Sequence, residues 1–239
     1  MHMQAPGIAR IRPARWFRHA LSARDLAATL ETRSAAMDSA RDGRAAFCRL
    51  RAKQAALARD LIEHGAFGAA AAWVERLEVQ RTHGYLRALE SWDRGDLALT
   101  PAPWRAVFAL HRQREIEAPL SLALSAHVHE AYDLPMALAR VGDATGGDTL
   151  AAFATLGELH ASAIDRFQQD VLKRYAARSL SGGALPIASA TMRERWGEAW
   201  LDAQEIAGTG DDARVNAAFA RIETAALAAI RRSMAEQTG

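Results

Sequence analysis

The sequence predicts an all-α, single-domain bundle of seven to eight helices around a buried central helix. Three features carry this reading. Half of the 239 residues are apolar, and alanine dominates them, which favours helix because alanine loses no side-chain entropy there. Apolar residues recur at spacings of three and four, and no stretch alternates as a half-buried strand does. Glycine, proline and aspartate cluster between the periodic segments and punctuate them.

The elements follow in order. Arg10, Arg12, Arg15, Arg18 and Arg24 all precede the first acid, Asp25, so residues 1–21 read as a basic N-terminal arm and 22–239 as the helical domain. Ser22 caps a first helix that reaches about Ser39. Asp42-Gly43 breaks it, and a second helix runs from Arg44 to His64 with Gly65 as its stop signal. A third covers Gly68 to Trp92. The segment from Asp93 to Pro103 is a loop, and Pro103 starts a short fourth helix with Trp104 and Phe108. The fifth covers Pro119 to Val141 and stops at Gly142. The sixth runs from Thr149 to about Ala177, and Ser179 to Pro186 is a glycine-containing loop. A seventh carries Trp196 and Trp200, a turn follows at Gly208, and the eighth runs from Asp211 to about Met234.

Composition excludes several function classes. Net charge is only +2, so there is no electrostatic footprint for nucleic acid. No run of 18 apolar residues exists, so no membrane span is expected. The N-terminus lacks the apolar stretch of a secretory signal, and the lone Cys48 cannot form an intramolecular disulfide. Cys48 reads as a small core thiol. Together these point to the cytoplasm. No Walker loop, dinucleotide glycine fingerprint, nucleophile elbow or His-Glu-x-x-His occurs, so there is no nucleotide cofactor motif. The repeated Glu-x-x-His of di-iron bundles is also missing.

The fifth helix carries the chemistry. Leu120, Leu124, His127, Ala131, Leu134, Leu138 and Val141 form an apolar stripe with His127 inside it. Leu122, Ala126, His129, Asp133 and Met136 form a second stripe. Residues two apart point about 200° apart, so His127 and His129 face opposite sides. A helix apolar on both sides belongs in the middle of a bundle, so its polar groups need buried partners. His129 and Asp133, at i and i+4, share one face. A His–carboxylate pair suits general acid/base work, and the same spacing suits two ligands of one metal ion. It also suits a pair that only locks packing. Pro135 cannot donate to the Ala131 carbonyl, so a kink or break is expected near Leu134, with a freed carbonyl beside the pair.

On the sixth helix His160 occupies the core stripe, and Gly157 one turn earlier permits a close approach. His129, Asp133, His160 and His127 are therefore the catalytic candidates. Tyr132, Trp104 and Tyr85 are the candidates for touching a ligand, although core packing is the plainer role for the tryptophan.

Three blocks resemble a known family. Tyr85-Leu-Arg-Ala-Leu, Trp104-Arg-Ala-Val-Phe108, and the run from Leu122 through His129 and Asp133 resemble a bacterial helical family catalogued as a domain of unknown function. Its hallmark is close to Asn-Ala-His-Ile-Asn-x-Asp-Leu after a Trp-x-x-x-Phe segment. The resemblance covers roughly Arg44 to Glu205. It matches the family histidine to His129 and the aspartate to Asp133; His127 and Ala131 stand where the family has asparagines. It implies a helical fold and no agreed activity. A looser likeness is to zinc-dependent phospholipase C and S1-type nucleases, whose His-x-x-x-Asp element His129 and Asp133 reproduce, without their other ligands.

The leading expectation is an enzyme of small-molecule metabolism with a pocket between the fifth and sixth helices. His129 would be the acid/base, Asp133 its orienting partner, and His127 or His160 a second polar group. The alternatives are a non-catalytic scaffold or ligand carrier, and a metal-dependent hydrolase. Whether a metal is bound, and the oligomeric state, are left open by the sequence.

Overall fold

Side chains satisfy orphan backbone groups at some of the helix starts, and left-handed residues close some of the ends. A computed structural model describes residues 22–112, 118–142, 147–175, 187–208 and 211–238. The basic arm and the loop from Ser179 to Pro186 lie outside the described residues. Helix α1 (Ala23–Ser39) opens on a capping box: Ser22 Oγ accepts from the Asp25 N–H at 3.3 Å, and Asp25 accepts from the Ser22 N–H at 3.0 Å. It closes through Arg41, at φ 55°, and the Asp42 N–H returns to the Met37 carbonyl at 2.9 Å. Asp42 then accepts the Arg44 N–H at 2.9 Å as α2 (Ala45–Glu63) begins. Gly65, at φ 75°, closes α2.

A 3₁₀ turn (Gly68–Ala70) leads into α3 (Ala71–Asp93), followed by α4 (Ala102–Arg112) and α5 (Ala118–Val128). A π-helical turn (His129–Asp133) joins α5 to α6 (Leu134–Val141). Then come α7 (Gly147–Tyr175), α8 (Ser189–Gly208) and α9 (Asp212–Thr238). Because α5, the π turn and α6 are continuous, the α-helices form eight rods, and no strand occurs among the described residues. No helix among these residues is long and apolar enough to cross a membrane.

The helix does not break at Pro135. Leu134 N–H donates to the His129 carbonyl, an i→i+5 bond that absorbs one extra residue. Pro135 thereby falls in the first turn of α6, the position of a helix that best tolerates a residue without an N–H. The disturbance expected at Pro135 takes the form of a π bulge and not of a break.

The rod α5–π–α6 is the centre of the bundle, touched by α2, α3, α4, α7, α8 and α9. Two aromatic clusters flank it. In one, the Phe47 and Trp104 rings lie 5.1 Å from Tyr85, and Phe108 stacks on Trp104 at 5.1 Å. In the other, Phe153 stacks on Trp196 at 4.8 Å and on Trp200 at 5.0 Å. Such pairs add ~0.5–1.5 kcal/mol each beyond their buried area. Gly157 does permit a close approach, and the partner is Trp196: a Cβ there would lie 2.7 Å from its ring. Cys48 is buried, its thiol donating to the Leu30 carbonyl at 3.4 Å, and burial pushes it up to about 11.

Candidate functional site

The π turn directs His129, Glu130 and Asp133 into the bundle. His129 Nδ1 lies 2.9 Å from Asp133 Oδ2. The Trp104 indole N–H donates to both oxygens of Asp133, at 3.2 and 3.1 Å. His129 is sealed. Phe47 and Tyr85 meet its ring edge-on at 5.6 and 6.4 Å, and its Nε2 has no hydrogen-bond partner among the described residues.

Behind the pair lies a polar core that α2, α3, the π turn and α7 build together. Arg51, fully buried, donates to Gln54 at 2.7 Å, Thr82 at 2.9 Å and Glu78 at 3.3 Å. Arg81, also fully buried, donates to Glu78 at 3.1 Å and to Glu130. Its guanidinium sits 5.0 Å over the Trp196 ring, which His160 meets edge-on at 5.5 Å. Two guanidinium groups thus face two carboxyls, the condition for burying charge at tolerable cost.

Burial and these charges set the titrations. Burial works to raise Glu78, yet Arg81 and Arg51 outweigh it and hold it down to about 2. Burial raises Glu130 above the usual carboxylate range despite Arg81 and Arg51. Burial lowers His129 well below the imidazole range, with Arg51 and Arg81 adding to the effect. His160 falls to about 3 by burial, with Glu78 opposing and Arg81 and Arg51 adding to the effect; neither of its ring nitrogens has a hydrogen-bond partner among the described residues. Asp133 is pushed up to about 7 by burial, against the pull of the Trp104 hydrogen bond.

Two clefts reach the π turn from different sides. The smaller, about 180 Å³, has Asp133 in its wall together with His83, Gly84, Arg87, Tyr132 and Arg140. The larger, about 410 Å³, is shared by α2, α5, α7, α8 and α9 and includes His127 and Glu130. His129 and His160 are in the walls of neither. The sequence candidates therefore separate. His129, Asp133 and Trp104 come together in one hydrogen-bonded unit, and Tyr132 lines the cleft beside Asp133. The Tyr85 ring packs against His129, while its hydroxyl is buried. His160 joins the polar core, and His127 faces the larger cleft.

Sequence reasoning missed Glu130, Arg51, Glu78, Arg81 and the basic wall of His83, Arg87 and Arg140. A signal existed for three of them. Arg51 lies between Phe47 and Ala55, and Glu78 and Arg81 lie between Val74 and Tyr85, in the register of buried apolar residues. Charges in a core register announce a buried network. The wall of the smaller cleft had no such signal, because it joins α3 to the rod. Among the described residues no group of three or more His, Cys, Asp or Glu side chains is placed to hold a metal ion.

A family of unknown function, DUF5995, matches residues 23–236, and the chain belongs to it. No curated protein and no solved structure matches the chain.

Proposed function

For a member of a family without an assigned activity, we propose an acid/base enzyme that acts on a small molecule docked at Asp133. One observation carries the reading: a buried carboxyl, held by His129 and Trp104, forms part of the wall of a cleft. A carboxyl that titrates at about 7 exists in both forms near neutral pH, so it can give a proton or take one. In this reading the roles of the pair are reversed from the sequence expectation. Asp133 meets the substrate, and the sealed His129 is a positioning residue. Gly84 contributes by having no side chain: a Cβ there would lie 3.2 Å from Asp133 Oδ1, so the approach to that oxygen stays open.

The cleft also suggests what enters. About 180 Å³ admits only a small molecule, well below the ~300–1,000 Å³ of drug-sized pockets. Arg140 makes no ion pair among the described residues, and Arg87 and His83 stand beside it. Burial and these two arginines lower His83, which keeps its imidazole neutral. Such a wall suits a small molecule with one carboxylate or phosphate group.

The test is a thermal-shift screen of small carboxylates and phosphate esters on the full chain, with Asp133→Asn and Arg140→Ala alongside. A ligand is expected to raise the wild-type melting temperature and to lose its effect in Arg140→Ala. With a substrate in hand, Asp133→Asn should lower kcat by about 10²–10⁴. Unchanged kcat in Asp133→Asn would end the proposal.

The seal around His129 Nε2 supports a second reading, a non-catalytic scaffold whose polar groups satisfy one another. That reading expects His129→Ala and Asp133→Asn to lower the melting temperature and nothing else.

A further inference from the structure

The larger cleft is built differently from the one at Asp133, and it is distinct in place and chemistry. Leu50 of α2, Leu120 and Leu124 of α5, Ile164 of α7 and Met192 of α8 give it apolar walls. Its volume, about 410 Å³, falls in the ~300–1,000 Å³ range of small-molecule pockets. Its polar lining residues are Gln54 and Glu130, both held by the buried arginines, with His127, Thr191, Arg195 and Arg232. Glu130 lies at the wall formed by the π turn, where one oxygen is held by Arg81. Arg195 and Arg232 stand on α8 and α9, Arg195 half-buried and Arg232 exposed. Arg195 is paired with Glu198 at 2.7 Å, a partly exposed ion pair of small worth, and Arg232 makes no ion pair among the described residues. His127 lines the same cleft, its Nε2 buried and without a hydrogen-bond partner among the described residues.

We infer that this cleft binds an amphipathic carboxylic acid, with its apolar chain against α5 and α7 and its carboxylate at Arg195 and Arg232. Apolar walls from several helices take the chain, and burying it is favourable by ~25 cal/mol per Å². The charges fix its direction. A carboxylate placed inward would face Glu130, whereas one placed outward meets two guanidinium groups. Burial, with Arg195 and Arg232 adding to it, lowers His127 to about 4, so at neutral pH its ring is uncharged and the positive charge of the cleft is that of the two arginines. A neutral ligand of the same length would fill the apolar part and forgo the arginines.

The test is calorimetric titration of the full chain with decanoate and, separately, decanol, at pH 7. Decanoate is expected to bind at least tenfold more tightly than decanol. The double variant Arg195→Ala/Arg232→Ala should weaken decanoate at least tenfold and leave decanol unchanged. Thr191 lines the cleft and is exposed, so Thr191→Trp should narrow the cleft without touching the core and abolish binding of both. Circular dichroism checks that the variants keep their helix content. Asp133→Asn should leave decanoate binding unchanged, which keeps this inference separate from the reading of the smaller cleft. Equal affinity for decanol and decanoate would overturn it. So would decanoate binding that survives Thr191→Trp, or no measurable binding at millimolar decanoate.

Discussion

Glu130 and Asp133 sit three residues apart on one π turn, and the bundle treats them differently. Each is buried, and burial raises each. Glu130 is held by a guanidinium that also binds Glu78, so it belongs to a charge-balanced network. Asp133 is held only by two neutral rings, an indole and an imidazole. The contrast teaches that two buried carboxyls can differ in role through their partners alone. A carboxyl locked to a shared arginine is structural. One held by neutral donors at a cleft wall is the group proposed here to exchange a proton.

Breaking the charged side should cost most. Arg81→Leu leaves Glu78 and Glu130 without their shared cation, and removing one partner of a buried ion pair costs about 3–5 kcal/mol. Urea unfolding should show that loss as a large drop in midpoint. A change under about 1 kcal/mol, the range of an exposed pair, would mean the network is far less buried than it stands here.

On the neutral side the matching change is Trp104→Phe. It keeps most of the ring packing against Phe108 and removes the indole N–H from Asp133. Stability should fall by ~1–3 kcal/mol, the cost of a buried acceptor losing its donor. The pull that opposes burial is also lost, so the carboxyl should titrate above its present value of about 7. Infrared spectroscopy of the protonated carboxyl band, followed against pH, checks this. An unmoved titration would remove Trp104 from the account of Asp133.

Stability against pH separates two opposing groups of residues. His160 at about 3, and His127 and His111 at about 4, are all lowered by burial. Below about 6.5 the unfolded chain binds protons that these folded rings refuse, so their contribution is lost as pH falls toward 4 and below. Glu78, held at about 2, adds to the loss below pH 4.5. Asp133 runs the other way. Its folded carboxyl keeps a proton that the unfolded one releases near 3.8, so its contribution is full below that value and is lost as pH rises through about 7. Asp133→Asn should therefore make stability climb more steeply between pH 4 and 7 than in the wild type. His160→Leu should flatten the climb. Urea midpoints measured across that range decide both, and parallel curves for Asp133→Asn and wild type would contradict the raised carboxyl.

The rods were legible because periodicity and stop signals are local. Ser22, Gly65 and Gly142 mark ends that the structure keeps. The 129–133 pairing was legible for the same reason, since i,i+4 neighbours share a face of an α-helix and the π turn keeps them in contact. The π turn was not. Pro135 announced a disturbance, but whether a helix kinks, breaks or bulges depends on what packs around it. Here six helices pack around the rod, and it stays helical through a bulge. The clefts were illegible too, since each is walled by segments distant in sequence. His83 and Arg140 meet only because α3 lies along the rod.

The finest difference can be read at two glycines. Gly197 is exposed in the interior of α8, and a Cβ there would meet nothing within 4 Å. Gly197→Ala should stabilise the protein by up to ~1 kcal/mol, the usual gain in helix propensity. Gly84 is also inside a helix, so propensity alone promises the same gain. Its Cβ, however, would press on Asp133 Oδ1 at 3.2 Å, and His129 and Trp104 pin that carboxyl from its other sides. The pressure should offset the gain, so Gly84→Ala should leave the melting temperature nearly unchanged while shifting the carboxyl band. Equal stabilisation by the two substitutions would show that Asp133 can move aside, and that the opening next to it is not held by Gly84.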